Sequence, residues 1–193
     1  KKKLEENLVE MNWFLERLHK VETFQVDKVF NQYMVYADRL KSHIADTTML
    51  LNRAIEKNKT VLFEGAQGTN LDVDFGTYPY VTSSSAAAGG ACTGTGVGPT
   101  MIDAVMGIAK AYSTRVGSGP FPTELNDDEG RGLQERGKEF GSTTGRARRC
   151  GWFDAVVVRH ATVVNGLSSL ALTKLDVLDG CKELKLCTGY KHG

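Results

Sequence analysis

The first sixty residues carry apolar side chains at helical spacing. The apolar positions form two stripes, Leu4, Leu8, Met11, Leu15 and Leu18, followed by Val26, Val29, Tyr33, Ala37, Leu40 and Ile44. Because these side chains recur every three or four residues with polar residues between them, they predict two amphipathic helices. A third, shorter helix is predicted over residues 47–56. We interpret the stripes as faces that pack into a core rather than as surfaces that bind a partner.

After residue 60 the apolar residues occur in short runs instead. Residues 61–63 (VLF) precede Glu64 and Gly65, which predicts a buried strand that enters a loop. Pro99 is expected to open a helix over residues 101–110. Its buried face would comprise Met101, Ile102, Val105, Met106 and Ala109. A strand is predicted over residues 112–116.

The second half of the chain continues this alternation of strands and helices. The acidic residues 127–129 are interpreted as a solvated surface turn, and a short helix is predicted over residues 132–140. Asp154 is expected to cap a helix over residues 155–165, before a strand that leads to Lys174. The chain is therefore predicted to be an α/β protein with a mostly parallel central sheet flanked by helices.

No internal repeat or low-complexity linker interrupts the chain, which predicts one structural unit. Within it, residues 1–59 form a helical subregion and residues 60–193 the α/β core. A content of 41% hydrophobic and 24% charged residues over 193 residues is typical of neither disordered nor membrane-spanning chains. The net charge of +1 creates no overall field that would attract nucleic acid or a membrane surface, so any anion binding must be local.

The four cysteines form no Cys-x-x-Cys pair and no metal-finger spacing with the histidines. They are Cys92, Cys150, Cys181 and Cys187. This usage is expected for reduced thiols in a cytosolic protein.

Two segments have the residue types of an anion site. Residues 141–149 (GSTTGRARR) gather hydroxyls, glycines and three guanidiniums, which suit carboxylate or phosphate oxygens. Lys174 and Asp176 follow the predicted strand 170–173, at the end where open α/β sheets present ligand contacts. Together the two segments indicate an anionic, nucleotide-like substrate. Taken singly, they could equally be a solvated basic loop and a salt bridge at a strand end.

Two further loops are candidates for contacts with a ligand. Gln67, between Gly65 and Gly68, could donate and accept at the edge of a heterocyclic base, or could simply satisfy loop backbone. Residues 77–99 are rich in small and hydroxyl side chains, so backbone N–H groups and Thr82 or Ser83 could bind an anion. The glycine run at 94–98 does not match a dinucleotide fingerprint, since Pro99 stands at the third glycine.

Several ordered motifs resemble those of the adenylosuccinate synthetases. They are FEGAQG at 63–68, GTYPYVTSS at 76–84, KAYSTRVG at 110–117, GPFPTEL at 119–125, TTGR at 143–146 and TKLDVLDG at 173–180. The resemblance implies a GTP-dependent ligase that joins L-aspartate to IMP and releases adenylosuccinate, GDP and phosphate, with Mg²⁺ and through a 6-phosphoryl-IMP intermediate. It also implies a partial P-loop-NTPase-like fold.

The resemblance implies roles for individual residues. The implied IMP contacts are Gln67, near the 6-oxygen, Thr82 at the 5′-phosphate, Val116 at the ribose, and Arg146. Those implied for L-aspartate are Ser142, Thr143, Thr144, Arg146 and Arg148. Those implied for GTP are Arg148, Lys174, Leu175 and Asp176, whose carboxylate would select guanine over adenine.

The chain also departs from the family pattern. It contains neither the glycine-rich phosphate loop with the catalytic aspartate nor the histidine acid that follows it. Nor does it contain the late segment that completes the guanine pocket. We therefore expect an internal fragment that is inactive alone, with the Mg²⁺ ligands outside it. The resemblance further implies a cytoplasmic homodimer that binds neither membranes nor nucleic acid.

Two alternatives remain at the level of the sequence. The chain could be a non-catalytic GTP- or IMP-binding relative that lacks the phosphate loop. Alternatively, Arg146, Arg148 and Arg149 could bind nucleic acid, but the near-neutral charge and the lack of interleaved aromatic residues disfavour this.

Overall fold

The chain separates into two compact units. The computed structural model describes residues 1–141 and 145–191, and its contacts divide the chain into Lys1–Asp46 and Thr47–Gly193. The division precedes the third predicted helix, which therefore groups with the second unit, whereas the sequence placed a boundary at residue 59.

The first unit contains the two predicted amphipathic helices. Helix α1 spans Lys2–Phe14 and continues into a π-helical turn, and helix α2 spans Val26–Leu40. The side chain of Asn12 fastens the connection between them, because its amide donates to the carbonyl of Phe24 and its oxygen accepts from the Phe24 N–H, both at 2.8 Å. The helical prediction is confirmed here.

The apolar stripes of this unit are largely exposed. Leu8 is buried, but Leu18 is 63% exposed, Tyr33 65% and Ile44 75%. Two helices can bury only the narrow strip along their mutual contact, so the rest of each stripe faces outward. The interpretation of these stripes as a packed core is therefore wrong for most of their side chains.

The second unit contains the remaining helices: α3 (Thr47–Glu56), α4 (Gly89–Thr95), α5 (Asp128–Gly137) and α6 (Ala155–Asn165). Asp127 caps α5 by accepting from the Gly130 N–H, so the acidic run opens a helix instead of forming a turn. The predicted helix at 132–140 consequently begins earlier, at Asp128. Asp154 caps α6 as predicted, by accepting from the N–H groups of Val156 and Val157.

Within the described residues, the strands form three pairs. Strand β1 (Met106–Lys110) pairs in parallel with β5 (Ser169–Thr173), β2 (Ser113–Arg115) pairs antiparallel with β3 (Arg149–Gly151), and β4 (Phe153–Asp154) pairs in parallel with β6 (Leu186–Cys187). The predicted α/β class, with parallel strands flanked by helices, is confirmed.

Two sequence predictions fail at the start of this unit. The helix predicted over residues 101–110 is wrong, because a single 3-10 turn at Pro99–Met101 leads into strand β1. Gly107 suits the strand, since a Cβ there would lie 2.4 Å from Leu167 Cδ1. Residues 61–63 are irregular instead of forming a buried strand, and Leu62 is 89% exposed.

A small core lies between helix α5 and the strands. Tyr112, Leu133, Cys150 and Val177 are buried together, and α5 packs against β3 and the 3-10 turn Leu175–Leu178. Helix α5 ends at a glycine for a steric reason: a Cβ on this residue, Gly137, would lie 2.3 Å from the Tyr112 hydroxyl oxygen. Among the described residues, no helix is long and apolar enough to cross a membrane.

Candidate ligand-binding site

A buried carboxylate organises the cationic groups of the second unit. The Glu139 side chain is 0% exposed. Lys110 Nζ donates to both of its oxygens at 2.8 Å, and Arg148 Nη1 donates to Oε2 at 2.8 Å. Lys174 Nζ lies 3.4 Å from Oε1, which also accepts a short hydrogen bond from the Tyr112 hydroxyl. We call Glu139, Lys110, Arg148, Lys174 and Tyr112 the Glu139 cluster.

Strand register places two of the cations at one edge. Lys110 ends strand β1 opposite Thr173, and Lys174 follows Thr173 directly at the end of β5. Because the two strands are parallel, both lysines lie at the carboxyl edge, where α/β folds bind ligands. Glu139 reaches the same edge because helix α5 ends just before it, with the Glu139 N–H bonded to the Gln134 carbonyl at 2.8 Å.

The cluster keeps Glu139 ionised. Burial alone would raise the pKa of this carboxyl group, but hydrogen bonds from Lys110, Tyr112 and Arg148 outweigh it and lower the pKa to about 2. Burial, together with the bond to Glu139, raises the pKa of the Tyr112 hydroxyl. Burial is also the main cause that raises the pKa of the neighbouring Cys150 thiol to about 11.

Positive charge is in excess around Glu139. One carboxylate faces the cationic groups of Lys110, Arg148 and Lys174, whose side chains are 26%, 31% and 39% exposed. Since the Glu139 carboxylate is fully buried and the cations are partly exposed, the solvent-accessible surface of the cluster is positively charged. This arrangement suits a phosphate or carboxylate ligand.

Residues 141–149, which we call the arginine loop, are joined by backbone hydrogen bonds between their described members. The Gly145 N–H donates to the Gly141 carbonyl and the Gly141 N–H donates to the Arg146 carbonyl, both at 2.8 Å. Gly145 has φ +64°, which favours glycine at this position. The Arg146 side chain is exposed. Three predicted aspartate contacts, Ser142, Thr143 and Thr144, lie outside the described residues.

The backbone of Arg148 is held independently of its side chain. Its N–H donates to the Glu139 carbonyl at 2.9 Å, and its own carbonyl accepts from the Gln134 side chain at 2.7 Å. An isolated antiparallel bridge between Phe140 and Ala147 joins the same two segments. These backbone contacts position Arg148 so that its guanidinium reaches the Glu139 carboxylate.

The neighbouring Arg149 has a different environment. Its guanidinium donates two hydrogen bonds to the Glu124 carboxylate, from Nε to Oε1 at 2.7 Å and from Nη2 to Oε2 at 2.5 Å. Its Nη1 donates to the carbonyls of Gly117 and Gly119 at 3.1 and 3.0 Å, and the Phe121 ring lies 5.4 Å away. Arg149 therefore holds loop 117–124 against strand β3.

Arg115 connects residues 72–88, which we call the hydroxyl-rich loop, to strand β2. It is 9% exposed, and its Nη2 donates to Thr77 Oγ1 and to the Tyr80 carbonyl, both at 3.0 Å. Its Nε donates to the Ser118 carbonyl at 3.0 Å. Because Arg115 pairs with Arg149 across β2 and β3, the loop is anchored next to the strand that follows Arg148.

A second buried carboxylate shapes that loop from within. Asp72 is 1% exposed and accepts from the backbone N–H groups of Ala87, Asp74 and Phe75 at 2.8, 2.9 and 3.0 Å. These bonds lower the pKa of the Asp72 carboxyl group, with the Ala87 bond as the largest cause. Because these N–H groups belong to different parts of the loop, their bonds to one carboxylate hold the loop in one conformation.

The predicted IMP residues lie on or near this loop. Thr82 Oγ1 donates to the Leu71 carbonyl at 3.0 Å and accepts from the Ser84 N–H at 3.2 Å, so its hydroxyl is engaged in the loop. Gln67 stands at φ +62° with its side chain exposed. Val116 directly follows Arg115 and is 52% exposed.

The predicted GTP residues lie beside the Glu139 cluster. Lys174 adopts φ +57° and also donates to the Gly137 carbonyl, which turns the chain into the 3-10 segment Leu175–Leu178. Within this turn Val177 points into the core, whereas Leu175 and Asp176 are exposed. Val177 therefore anchors the turn, while Leu175 and Asp176 are accessible to a ligand.

The structure brings together Arg148 and Lys174, which the sequence had placed in separate motifs. Sequence reasoning missed the residue that joins them, Glu139, and its partners Lys110 and Tyr112. One signal was available: Glu139 is the only acidic residue in the strongly basic stretch 136–153. Lys110 was missed because it was assigned to a helix. Thr82 lies on the separate loop that Arg115 anchors, and Gln67 lies in the segment before it.

The described parts of the chain contain no cluster of metal-binding side chains. Over residues 1–141 and 145–191, His, Cys, Asp and Glu side chains form no group of three or more that could hold a metal ion. The acidic residues 127–129 are instead used in part to cap helix α5.

Comparisons of sequence match one family along the whole chain. The family model described as adenylosuccinate synthetase matches residues 1–193. The adenylosuccinate synthetase of Thermodesulfovibrio yellowstonii is 57% identical over 193 residues, which are 100% of this chain and 45% of that protein. That of Geotalea uraniireducens is 58% identical over 191 residues, or 99% of this chain and 44% of that protein. The chain thus spans less than half the length of these curated relatives.

Comparisons of structure lead to the same family. A fully ligated adenylosuccinate synthetase from Plasmodium falciparum aligns with a TM-score of 0.85 and 42% identity, over 96% of this chain and 43% of that one. The succinoaminodeoxyadenylate synthetase of cyanophage S-2L, bound to dGMP and to dATP as an energy donor, aligns with a TM-score of 0.54 and 25% identity. That alignment covers 65% of this chain and 38% of the phage protein.

Proposed function

Because this chain belongs to the adenylosuccinate synthetase family, we propose that the full-length protein joins L-aspartate to IMP with GTP, forming adenylosuccinate, GDP and phosphate. The observation that carries the proposal is the Glu139 cluster. It joins Arg148 of the arginine loop to Lys174, which precedes the turn Leu175–Leu178, and it presents excess positive charge to solvent. The reaction requires such a surface, since its substrates carry phosphates and carboxylates.

The proposed chemistry proceeds in two steps. The 6-oxygen of IMP is a poor leaving group, so the γ-phosphoryl group of GTP is first transferred to it, which breaks the bond to GDP. The amine of L-aspartate then attacks C6 and forms the new C–N bond, while the oxygen leaves as part of inorganic phosphate. Gln67, exposed on its loop, is proposed to contact the base near this oxygen.

The arginine loop is proposed to hold L-aspartate. Ser142, Thr143, Thr144, Arg146 and Arg148 would supply the contacts. Support comes from the exposed Arg146 side chain and from Arg148, whose guanidinium has Nη1 bonded to Glu139 and is partly open to solvent. A guanidinium can donate to a buried carboxylate and to a ligand at once, because its five N–H groups point in different directions.

The turn at residues 174–176 is proposed to hold GTP together with Arg148. The Asp176 carboxylate would accept from the N1–H and 2-amino groups of guanine, Lys174 would pack its stem along the base, and Leu175 would line the pocket. Asp176 is exposed, and its turn is anchored by buried Val177, so it is presented on a fixed backbone. The cyanophage relative was solved with dATP as its energy donor, so the nucleotide preference of this protein needs a direct test.

The loop anchored by Arg115 and Asp72 is proposed to hold IMP. Thr82 would contact the 5′-phosphate, Val116 the ribose, and Arg146 would approach from the arginine loop. Anchoring by two buried charged side chains supports this role, because a preformed loop loses little conformational entropy when it binds a ligand.

Mg²⁺, a homodimeric state and a cytoplasmic location complete the proposal. Mg²⁺ would offset the charge of the transferred phosphoryl group. We propose that its protein ligands lie outside this chain, since the described residues contain no group of three or more His, Cys, Asp or Glu side chains that could hold a metal ion.

The test is a reconstitution with the full-length protein. It is incubated with IMP, GTP, L-aspartate and Mg²⁺, and products are separated by chromatography, with each substrate omitted in turn. Adenylosuccinate and phosphate should form in equal amounts, and IMP labelled with heavy oxygen at the 6-position should transfer that label to phosphate. Tight binding of GTP and IMP without turnover would instead support a non-catalytic relative.

A further inference from the structure

We propose that Glu139 is a positioning residue that couples the aspartate pocket to the GTP pocket, by fixing the Arg148 and Lys174 side chains on one carboxylate. The proposal rests on the function proposed above and extends it. Neither pocket would be complete without a residue that touches no substrate.

The geometry limits Glu139 to an indirect role. Its side chain is 0% exposed, so it cannot reach a ligand, yet it contacts two residues that can. Arg148 Nη1 lies 2.8 Å from Oε2 and Lys174 Nζ lies 3.4 Å from Oε1. Each carboxylate oxygen therefore serves one proposed pocket.

The other two members of the cluster hold the carboxylate itself. Lys110 Nζ donates to both oxygens at 2.8 Å and to Thr114 Oγ1 at 3.0 Å, which ties the carboxylate to strands β1 and β2. The Tyr112 hydroxyl donates from the core below. With both oxygens held from two sides, Glu139 is a fixed anchor for Arg148 and Lys174 alike, so both pockets depend on the same carboxylate.

Backbone contacts separate the positioning role from a purely structural one. The Arg148 backbone is held by the Glu139 carbonyl and the Gln134 side chain, and Lys174 also donates to the Gly137 carbonyl. Removal of the Glu139 charge therefore leaves the loop attached but releases the guanidinium and the ammonium group. The expected consequence is weaker binding of two substrates, without loss of the fold.

The experiment measures the three Michaelis constants of the full-length enzyme with Glu139→Gln. The KM values for L-aspartate and for GTP should both rise by roughly tenfold or more, since each pocket loses a charge-assisted bond. The KM for IMP should stay near wild type, because Thr82 lies on the hydroxyl-rich loop, which Arg115 anchors without any contact to Glu139. Glu139→Asp keeps the charge but shortens the reach, so it should recover part of both losses, and it carries the test if the Gln variant does not fold.

The matched control is Asp154→Asn, which alters another buried carboxylate in the same unit. Asp154 is 3% exposed and caps helix α6, away from the Glu139 cluster. This control removes a buried negative charge but keeps a residue that can cap the helix, and it should leave all three KM values unchanged.

Two outcomes would overturn the proposal, and they are distinguishable. If wild type is active but the Glu139 variants change only kcat, or raise the KM for IMP as much as the other two, Glu139 is structural and the coupling is absent. If wild type forms no adenylosuccinate, the proposed function fails, and the coupling that rests on it fails too.

Discussion

The Glu139 cluster predicts how the stability of the second unit depends on pH. The Glu139 pKa is lowered from 4.5 to about 2 in the folded state. A carboxyl group with a lowered folded pKa stabilises the fold above its unfolded pKa, and this stabilisation is lost as the pH falls through the folded value. The difference between the unfolded and folded pKa values corresponds to about 3 kcal/mol of folding stability at neutral pH.

Glu139→Gln removes this contribution and leaves three cationic groups without a counter-charge. We expect the variant to be less stable by at most about 3 kcal/mol at neutral pH, because the three cationic groups that remain are partly exposed and solvent stabilises them in part. The difference from wild type should shrink by about 2 kcal/mol at about pH 3, because the unfolded chain then protonates this carboxyl group while the folded protein still keeps it largely ionised.

Amide hydrogen exchange measured by mass spectrometry tests this locally. Peptides that cover helix α5 and strand β3, both of which pack beside Glu139, are compared in wild type and variant across the pH range. Intrinsic exchange rates cancel between the two proteins because their peptides differ at a single residue. Glu135→Gln, on the exposed side of α5, is the matched control and should exchange like wild type. A difference between wild type and Glu139→Gln that is independent of pH would refute the assignment of an ionised, stabilising Glu139.

Three further substitutions in the full-length protein test other parts of the account. Arg146→Leu should raise the KM for L-aspartate or lower kcat while GTP affinity stays near wild type; an equal loss of GTP affinity would show that the loop is misassigned. Asp176→Asn should reduce the preference for GTP over an analogue without the 2-amino group, in competition kinetics, and an unchanged preference would remove Asp176 from the base pocket. Asp154→Ala should destabilise helix α6 by about 1 kcal/mol or more through its lost cap, measured by urea denaturation; unaltered stability would count against the cap.

Local signals in the sequence were sufficient for several helices. Helix α6 follows from the cap at Asp154 and the αL glycine at Gly166, both of which act within the helix itself. Strand β1 was mistaken for a helix because its identity depends on pairing with β5, and Met106 pairs with Ser169 far along the chain. Periodicity within a short window contains no information on such a distant partner.

In the candidate site, too, the sequence predicted the residues that belong to local motifs and missed those whose role depends on distant contacts. The family-like motifs identified Arg148 and Lys174 one by one, because glycine, hydroxyl and guanidinium groups near each other indicate anion binding. They did not identify Glu139, since its role depends on burial and on charges from β1, β5 and the arginine loop that meet only in the fold. The exposure of the apolar stripes in the first unit was likewise not predictable, because periodicity shows that a face is apolar and not what covers it.

The most direct measurement is an experimental structure of the full-length protein with GDP, IMP and L-aspartate bound. The account predicts that the Arg148 guanidinium contacts Glu139 and a ligand at the same time, with guanine on Asp176 and L-aspartate within the arginine loop. Ligands bound elsewhere, with Arg148 and Lys174 contacting only Glu139, would contradict it.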